Sequence, residues 1–535
     1  SFNETFEQDS NMSANVERVY YMSALTVISN MRTNLPLVFD RVWPNGNGNV
    51  GAPTMGIGGS RSWWWDEALT SMMLALLEPQ GRAPTFQAWL AHDDHPGTTF
   101  GHGVGNGYSL DCLPLGSSSC GFPPTQPNAS DDNVEKLKNK GPQYGFYCYN
   151  PWAFYMAMSN HLRINNDTKF LTSQAAKSSM NVEAALEGIA TNYKEYLIPG
   201  TNLVDYGPSM DGFSPTYKHV MPGCSQGNNI WMLRDFAAFR ESQGRSDEAN
   251  ILRKSAAALA NDTLTKMYES REGHGWFNVV SPGPTDDTLL VNEMRHVVDF
   301  FSVTFGLCGL TKDKCDFTET QRTELGNWFR KESVTKTWIR ATSPYCNCST
   351  VHEIPKNSTK DSKRAFVSAN SEEYPAYPTC SAGRPDHGSN GAYPSWPAFA
   401  LEALCYIDGN CSSAFNLMST YADNTYEGPF GQAHEVPQLE KSPYTPFNNV
   451  SAFKPTAGVT RYIAIEGGSF FDAIVRGFFG YHPQLQWAND TSSVQASLDA
   501  TLNNPNVPKG FVGSLKNLRT PHGLATITSS AAGLA

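Results

Sequence analysis

Asp211 lies in the segment Ser209-Met210-Asp211-Gly212-Phe213-Ser214-Pro215, a single carboxylate in a loop bearing glycine and proline. Apolar flanks such as Met210, Phe213 and Pro215 desolvate a carboxyl and raise its pKa, so that it holds a proton near neutral pH. That is the profile of a general acid. Glu435 ends Gly431-Gln432-Ala433-His434-Glu435, after the flexible Gly428-Pro429-Phe430, and has the profile of a general base, with Glu427 as its competitor. A third group, Arg61-Ser62-Trp63-Trp64-Trp65-Asp66-Glu67, offers an indole to stack on a sugar face and polar groups for its hydroxyls. Trp396, within Tyr393-Pro394-Ser395-Trp396-Pro397, adds an aromatic at a loop–helix junction. Hydrolysing a glycosidic bond needs two carboxyl groups, one to protonate the leaving oxygen and one to activate water or attack the anomeric carbon. Each acid also has a plainer reading. Asp211 can cap its own turn, Asp66 and Glu67 can complement a helix dipole, and Glu435 or Glu427 can be solvated surface glutamates.

The composition narrows the field. The chain has 535 residues and is 40% hydrophobic, enough for one very large domain or several ordinary ones. Its net charge is −11, without a lysine- or arginine-rich run, which disfavours nucleic acid and anionic membrane as partners. The 12 tryptophans, 22 tyrosines and 29 phenylalanines supply core and, near the acid loops, platforms for sugar rings. No apolar run approaches the roughly 18–20 residues of a membrane span. Ten Asn-x-Ser/Thr sequons, at Asn3, Asn11, Asn128, Asn166, Asn261, Asn347, Asn357, Asn410, Asn449 and Asn489, point to N-linked glycans and the secretory pathway. The 11 cysteines agree, with short-loop pairs expected at Cys112–Cys120, Cys308–Cys315 and Cys405–Cys411, and one thiol of Cys346-Asn347-Cys348 directed to Cys380. Cys148 and Cys224 are the hardest to place. No Cys-x-x-Cys pair occurs and the histidines are scattered, so no metal site is expected.

The elements that must position these acids are helices. Apolar residues recur at spacings of three and four from Val16 to Met31, from Trp65 to Leu76, from Val182 to Tyr193, and through Ile230–Phe239 and Ala249–Met267, a pair broken at Gly244. Pro151 starts another helix at its first turn. Val298–Leu307, Glu319–Phe329, Trp396–Tyr406, Ala414–Tyr421 and Phe470–Phe479 complete about eleven. Long loops rich in Gly, Pro, Asn and Ser separate them and hold the acids, a pattern that fits a toroid of helical hairpins with a pocket built by loops at one end. After Pro483 the β-branched and glycine-rich texture predicts short strands. The expected fold is therefore all-α, an (α/α)6 toroid over residues 1–482. A short β-rich segment follows over 483–535, read as part of a truncated β domain.

Several of these motifs resemble a known group. Gly58-Gly59-Ser60-Arg61-Ser62-Trp63-Trp64-Trp65-Asp66 is similar to the glycine-arginine-aromatic-Trp-Asp signature of trehalases and glucosidase I-like glycoside hydrolases (family 63-like and mannosylglycerate hydrolase-like enzymes). The Asp211 loop resembles their Ser-Gly-Trp/Leu-Asp loop. Tyr144–Leu171 and Asn228–Arg271 look like the adjoining helices, Tyr393–Pro397 like the Gly-Pro-Val-Trp-Pro segment, Gly431–Glu435 like the Gly-x-x-x-Glu base, and Glu466–Phe471 like the entry to the last barrel helix. The resemblance spans roughly residues 15 to 480. It implies a six-hairpin (α/α)6 toroid and an inverting mechanism, with Asp211 as acid and Glu435 as base. Two departures stand out. Phe213-Ser214-Pro215-Thr216-Tyr217 replaces an arginine just after the aspartate, and Val436 replaces a tyrosine after the glutamate. The substrate therefore does not carry over.

The function expected is that of a secreted inverting exo-glycosidase acting on a carbohydrate without a cofactor. Asp211 and Glu435 would lie about 6.5–9.5 Å apart, with Arg61, Trp65, Asp66 and Trp396 shaping the −1 subsite. A non-catalytic, glycan-binding or structural cell-surface glycoprotein on the same toroid is the alternative. A polysaccharide lyase using Tyr217, His219 and Arg234 lacks a paired signature.

Overall fold

The structure, a computed structural model, describes residues 2–6, 10–29, 61–63, 69–77, 83, 86–87, 90, 107–109, 149–175, 180–205, 222–293, 295–309, 315–336, 338–343, 345, 351–357, 365–367, 395–425, 465–483, 511–520 and 523–529. Among the described residues the chain is mostly helical. The helices are α1 (Ser10–Ser29), α2 (Ser71–Leu77), α3 (Asn150–Asn165), α4 (Thr168–Thr172), α5 (Val182–Thr191), α6 (Asn228–Ser242), α7 (Ser246–Asp262), α8 (Val297–Cys308), α9 (Glu319–Trp328), α10 (Ser395–Asp408), α11 (Ser412–Thr425) and α12 (Ser469–Asp472). Wide helical turns extend α6 backwards over Pro222–Gly227 and α12 forwards over Ala473–Phe478.

Local chemistry explains the ends. Pro151 occupies the first turn of α3, where no amide hydrogen bond is lost. Asn181 caps α5 through the amide of Ala184, and Thr318 with Gln321 forms a capping box on α9. Gly244 adopts φ +76° between α6 and α7, a left-handed turn that glycine enters without strain.

Two layers of helix close into a ring. The inner layer is α2, α3, α6, α8, α10 and α12, each packed on the next and α12 back on α2. The register shows that they run parallel. Asn160 and Asn165 of α3 donate to Ser71 Oγ and the Ala75 carbonyl of α2, at 2.8 and 3.0 Å. Tyr155 and Arg163 of α3 reach Asp235 of α6. Arg234 of α6 donates to the Gly306 carbonyl of α8 at 2.8 Å. Along α8 and α10 the ring contacts climb in step: His296 with Trp396, Phe301 with Phe399, Phe305 with Tyr406. Glu402 of α10 meets Arg476 beyond α12, and Ser469 of α12 donates to the Leu69 carbonyl at 2.8 Å. Residue numbers rise together along neighbouring helices, so the inner helices run in one direction, with Ser71 at the start of α2 beside Asn160 late in α3.

The outer layer covers this wall. α1 packs on α11 and α12, α5 on α3 and α6, α7 on α6, α9 on α10, and α11 on α10. Burial follows the layers. All twelve residues of α8 are buried, as expected of a helix surrounded on every side. On α7 the buried apolar set is Ala249, Leu252, Ala256, Leu259 and Ala260, while Ile251 is exposed. The fold is the (α/α)6 toroid. The backbones of α8 and the turn before α6 approach closely at Gly227 and Gly306, where a Cβ on either would run into the facing segment's carbonyl.

Strands fill the margins. Between α7 and α8 the sequence reads as loop, yet β4 (Tyr268–Arg271) and β5 (His274–Phe277) form a hairpin. Its turn, Glu272-Gly273, has positive φ at both positions. β6 (Val279–Pro282), β7 (Thr288–Asn292), β8 (Val351–Pro355) and β9 (Ala365–Val367) form an antiparallel sheet. These runs are three to five residues long, too short for alternation to declare itself. β2 (Arg61–Trp63) pairs with β3 (Gly107–Ser109). The strands expected after Pro483 are present as β10 (Phe511–Thr520) and β11 (Gly523–Ser529), and β1 (Phe2–Phe6) joins them from the other end of the sequence. Tyr481 ties this sheet to the ring through the Arg519 carbonyl.

The expected disulfides Cys308–Cys315 and Cys405–Cys411 are both formed, each in a turn from an inner to an outer helix. The other expected pairs lie outside the described residues. No helix among the described residues is long and apolar enough to cross a membrane.

Candidate active site

Three features can be followed at the N-terminal end of the inner ring. Trp396, in the first turn of α10, is fully buried with its edge against His296, ring centroids 5.2 Å apart. His296 caps α8 by accepting the Val298 amide at Nδ1. Just before it, Arg295 stacks 3.8 Å over Trp276 and pairs with Glu293 and Glu332 at 2.5 and 2.6 Å, which fixes the start of α8 to the neighbouring strands. Asp299, in the same turn, accepts the Gly223 amide at 2.8 Å. Burial pushes its carboxyl up to about 7, against that hydrogen bond.

Of the site residues read from the sequence, only Trp396 can be placed in full. Arg61 lies in β2, its side chain outside the described residues. Trp65, Asp66, Asp211 and Glu435, with Glu427, lie outside them altogether. Chain order nevertheless relates them. Trp65 and Asp66 lead into α2, Asp211 into the turn that begins α6, and Glu435 into α12, while Trp396 opens α10. In chain order Trp396 begins its inner helix, whereas Asp66, Asp211 and Glu435 stand 5, 11 and 30 positions ahead of Ser71, Pro222 and Ile465.

The second half of the inner helices carries a polar axis that sequence reasoning missed. A cavity of about 50 Å³ is lined by Asn160, Arg163, Trp231, Glu402, Tyr406, Arg476 and His482 among others. Sugar-sized pockets run to several hundred Å³, whereas this one holds a few waters. Arg163 pairs with Asp235 at 2.7 Å, and Tyr155 donates to the same carboxylate at 2.8 Å. Arg476 lies 3.1 Å from Glu402 and 3.7 Å from Asp472. Burial raises Asp472 to about 8; Glu402 adds to the rise and Arg476 opposes it. Burial also raises Glu402 and Asp235, with Arg476 and Arg163 opposing. Glu402, committed to Arg476, and Asp472, holding a proton, make a structural joint rather than a hydrolytic pair. The signal was present: Glu402, Asp472 and Arg476 are lone charges within otherwise apolar helical runs. Such charges must find one another inside the ring. Among the described residues no group of acids, histidines and cysteines is arranged to hold a metal.

No family model and no curated protein matches the chain. Among solved structures it is similar to a sialidase at TM-score 0.43 and 14% identity, covering 75% of this chain and 31% of that one. It is similar also to the glucoamylase from Saccharomycopsis fibuligera at TM-score 0.43 and 12% identity, covering 88% and 96%. Likeness at that level carries no functional weight, and the ring described above stands on this chain's own contacts.

Proposed function

We propose that this chain hydrolyses a glycosidic bond with inversion. Asp211 protonates the leaving oxygen and Glu435 takes a proton from the attacking water. Arg61, Trp65 and Asp66 bind the sugar at the −1 subsite, and Trp396 shapes that subsite from behind through His296. What supports this reading is that the inner helices run in one direction round a closed ring, and that in chain order each acid- or indole-bearing motif falls in the segment ahead of, or at the start of, one of those helices. A ring of parallel helices presents its entry segments around one axis, the geometry needed for two acids distant in sequence to flank one bond. No cofactor takes part. The sequons, of which Asn261, Asn357 and Asn410 are exposed, and the two disulfides support a secreted glycoprotein.

The test is a panel of α- and β-linked oligosaccharides, with the anomer of the released sugar followed by NMR on protein expressed through a secretory pathway. One or more should be cleaved with inversion, and D211N and E435Q should each lose about 10²–10⁴-fold in kcat. Full turnover in D211N on a cleaved substrate would remove the acid assignment. Binding to the panel without cleavage would leave a glycan-binding module.

A further inference from the structure

The stretch that contains Asp211 is fastened at both ends by two buried side chains outside it. At its entry, the Gln226 carboxamide holds both backbone groups of Val204: its oxygen accepts the Val204 amide at 3.0 Å and its nitrogen donates to the Val204 carbonyl at 2.8 Å. Gln226 is fully buried. At its exit, Asp299 Oδ1 accepts the Gly223 amide at 2.8 Å, and Asp299 is itself buried. Gly223 has little room for a side chain, because a Cβ there would lie 3.0 Å from Asp299 Oδ1 and from the Val298 carbonyl. The anchors share a frame. Gln226 belongs to the turn that begins α6, and Asp299 to the first turn of α8. The Gly227–Gly306 approach brings those two helices into backbone contact. Entry and exit are therefore both referred to one rigid joint.

Pinning a loop needs no buried glutamine or aspartate. Leu197 already pairs with Val204 as a β-bridge, and the Asp205 amide reaches the Tyr196 carbonyl at 2.8 Å. Burying two polar side chains is unfavourable unless each is hydrogen-bonded. Here each is bonded to backbone at an end of the same stretch, and Asp299 Oδ2 has no hydrogen-bond partner among the described residues. We propose that Gln226 and Asp299 are positioning residues, setting where the chain enters and leaves the segment that carries the general acid. This rests on the reading of Asp211 as that acid.

The expected consequences separate positioning from bulk stability. Q226L and D299L remove one anchor each. D299N keeps its anchor, since the amide oxygen still accepts from Gly223. On a cleaved oligosaccharide, Q226L and D299L should lose kcat on the order of 10²-fold with KM unchanged, the penalty for misplacing a catalytic group by about an ångström. D299N should keep most of its turnover. In a D211N background Q226L should cost nothing further, because groups acting through one residue are not additive. With the 2,4-dinitrophenyl glycoside of the released sugar, whose leaving group needs no proton, the Q226L deficit should largely vanish. Equal losses in the wild-type and D211N backgrounds would overturn the proposal. Wild-type turnover in D211N would instead overturn the acid assignment, a separate result. An activity-free arm uses limited chymotrypsin digestion under conditions where far-UV circular dichroism matches wild type. Cleavage between Val204 and Gly223 should speed up in Q226L and D299L but not in D299N. Unchanged rates in the first two would also overturn the anchoring.

Discussion

The two ends of the inner helices are built for different work. At the N-terminal end α8 and α10 begin with a cap and an aromatic contact, His296 on Val298 and Trp396 on His296. Further along, the inner helices carry charge pairs that join neighbours, Arg163 with Asp235 and Arg476 with Glu402 and Asp472, and α8 and α10 turn outward through disulfides. On the function proposed above, one end presents the segments that carry the chemistry. The other end binds the helices to one another so that those segments can be held. If this division is right, damage to the axis should appear as lost stability, and damage to the entry segments as lost rate.

The largest expected effect at the axis is from R476M. Removing one partner of a buried ionic pair leaves the Glu402 carboxylate uncompensated and should cost about 3–5 kcal/mol in a denaturant titration. The double variant R476M/E402Q should recover much of that loss. If R476M lowered kcat at full stability instead, the axis would belong to the active site and the comparison would fail.

The next effect is on pH dependence. Asp472 rises from 3.8 to about 8 on folding, and Asp299 from 3.8 to about 7. Between the unfolded and folded values the native state holds protons that the unfolded chain releases, so stability declines as pH rises. These contributions are complete below about pH 4, and are lost as pH passes through about 7 for Asp299 and about 8 for Asp472. The unfolding midpoint should therefore fall between pH 5 and pH 8, and D472N should flatten the slope. A midpoint that climbed over that range in wild type would contradict the proton-holding role.

The smallest effect is from the paired substitution C405S/C411S. Opening so short a loop should cost about 2 kcal/mol, read as a lower melting temperature at unchanged kcat.

Much of the helical frame was legible in the sequence. The apolar repeats from Val182, Ile230, Ala249 and Val298 mark helices that start within three residues of the expected places, because a face that must be buried repeats with the helical turn. Pro151 and Gly244 punctuate where expected because their backbone chemistry is local. The strands from Tyr268 to Pro355 were not legible. Their runs are short, and their stability comes from partners such as β7 on β8, roughly sixty residues apart. The charged axis was half legible: Glu402 and Arg476 were visible as lone charges, but their pairing was not.

Residue order alone determined which stretches coil, about where they stop, and which cysteines lie close enough to join. Only the tertiary structure decided that six of the helices close a parallel ring, that Trp396 is walled in against His296, and that Gln226 and Asp299 fasten the two ends of one stretch. The reason is physical. Helical periodicity and turn chemistry act over a few residues and are written in neighbours, whereas ring closure and buried pairing join groups tens to hundreds of positions apart, and no local spacing records them.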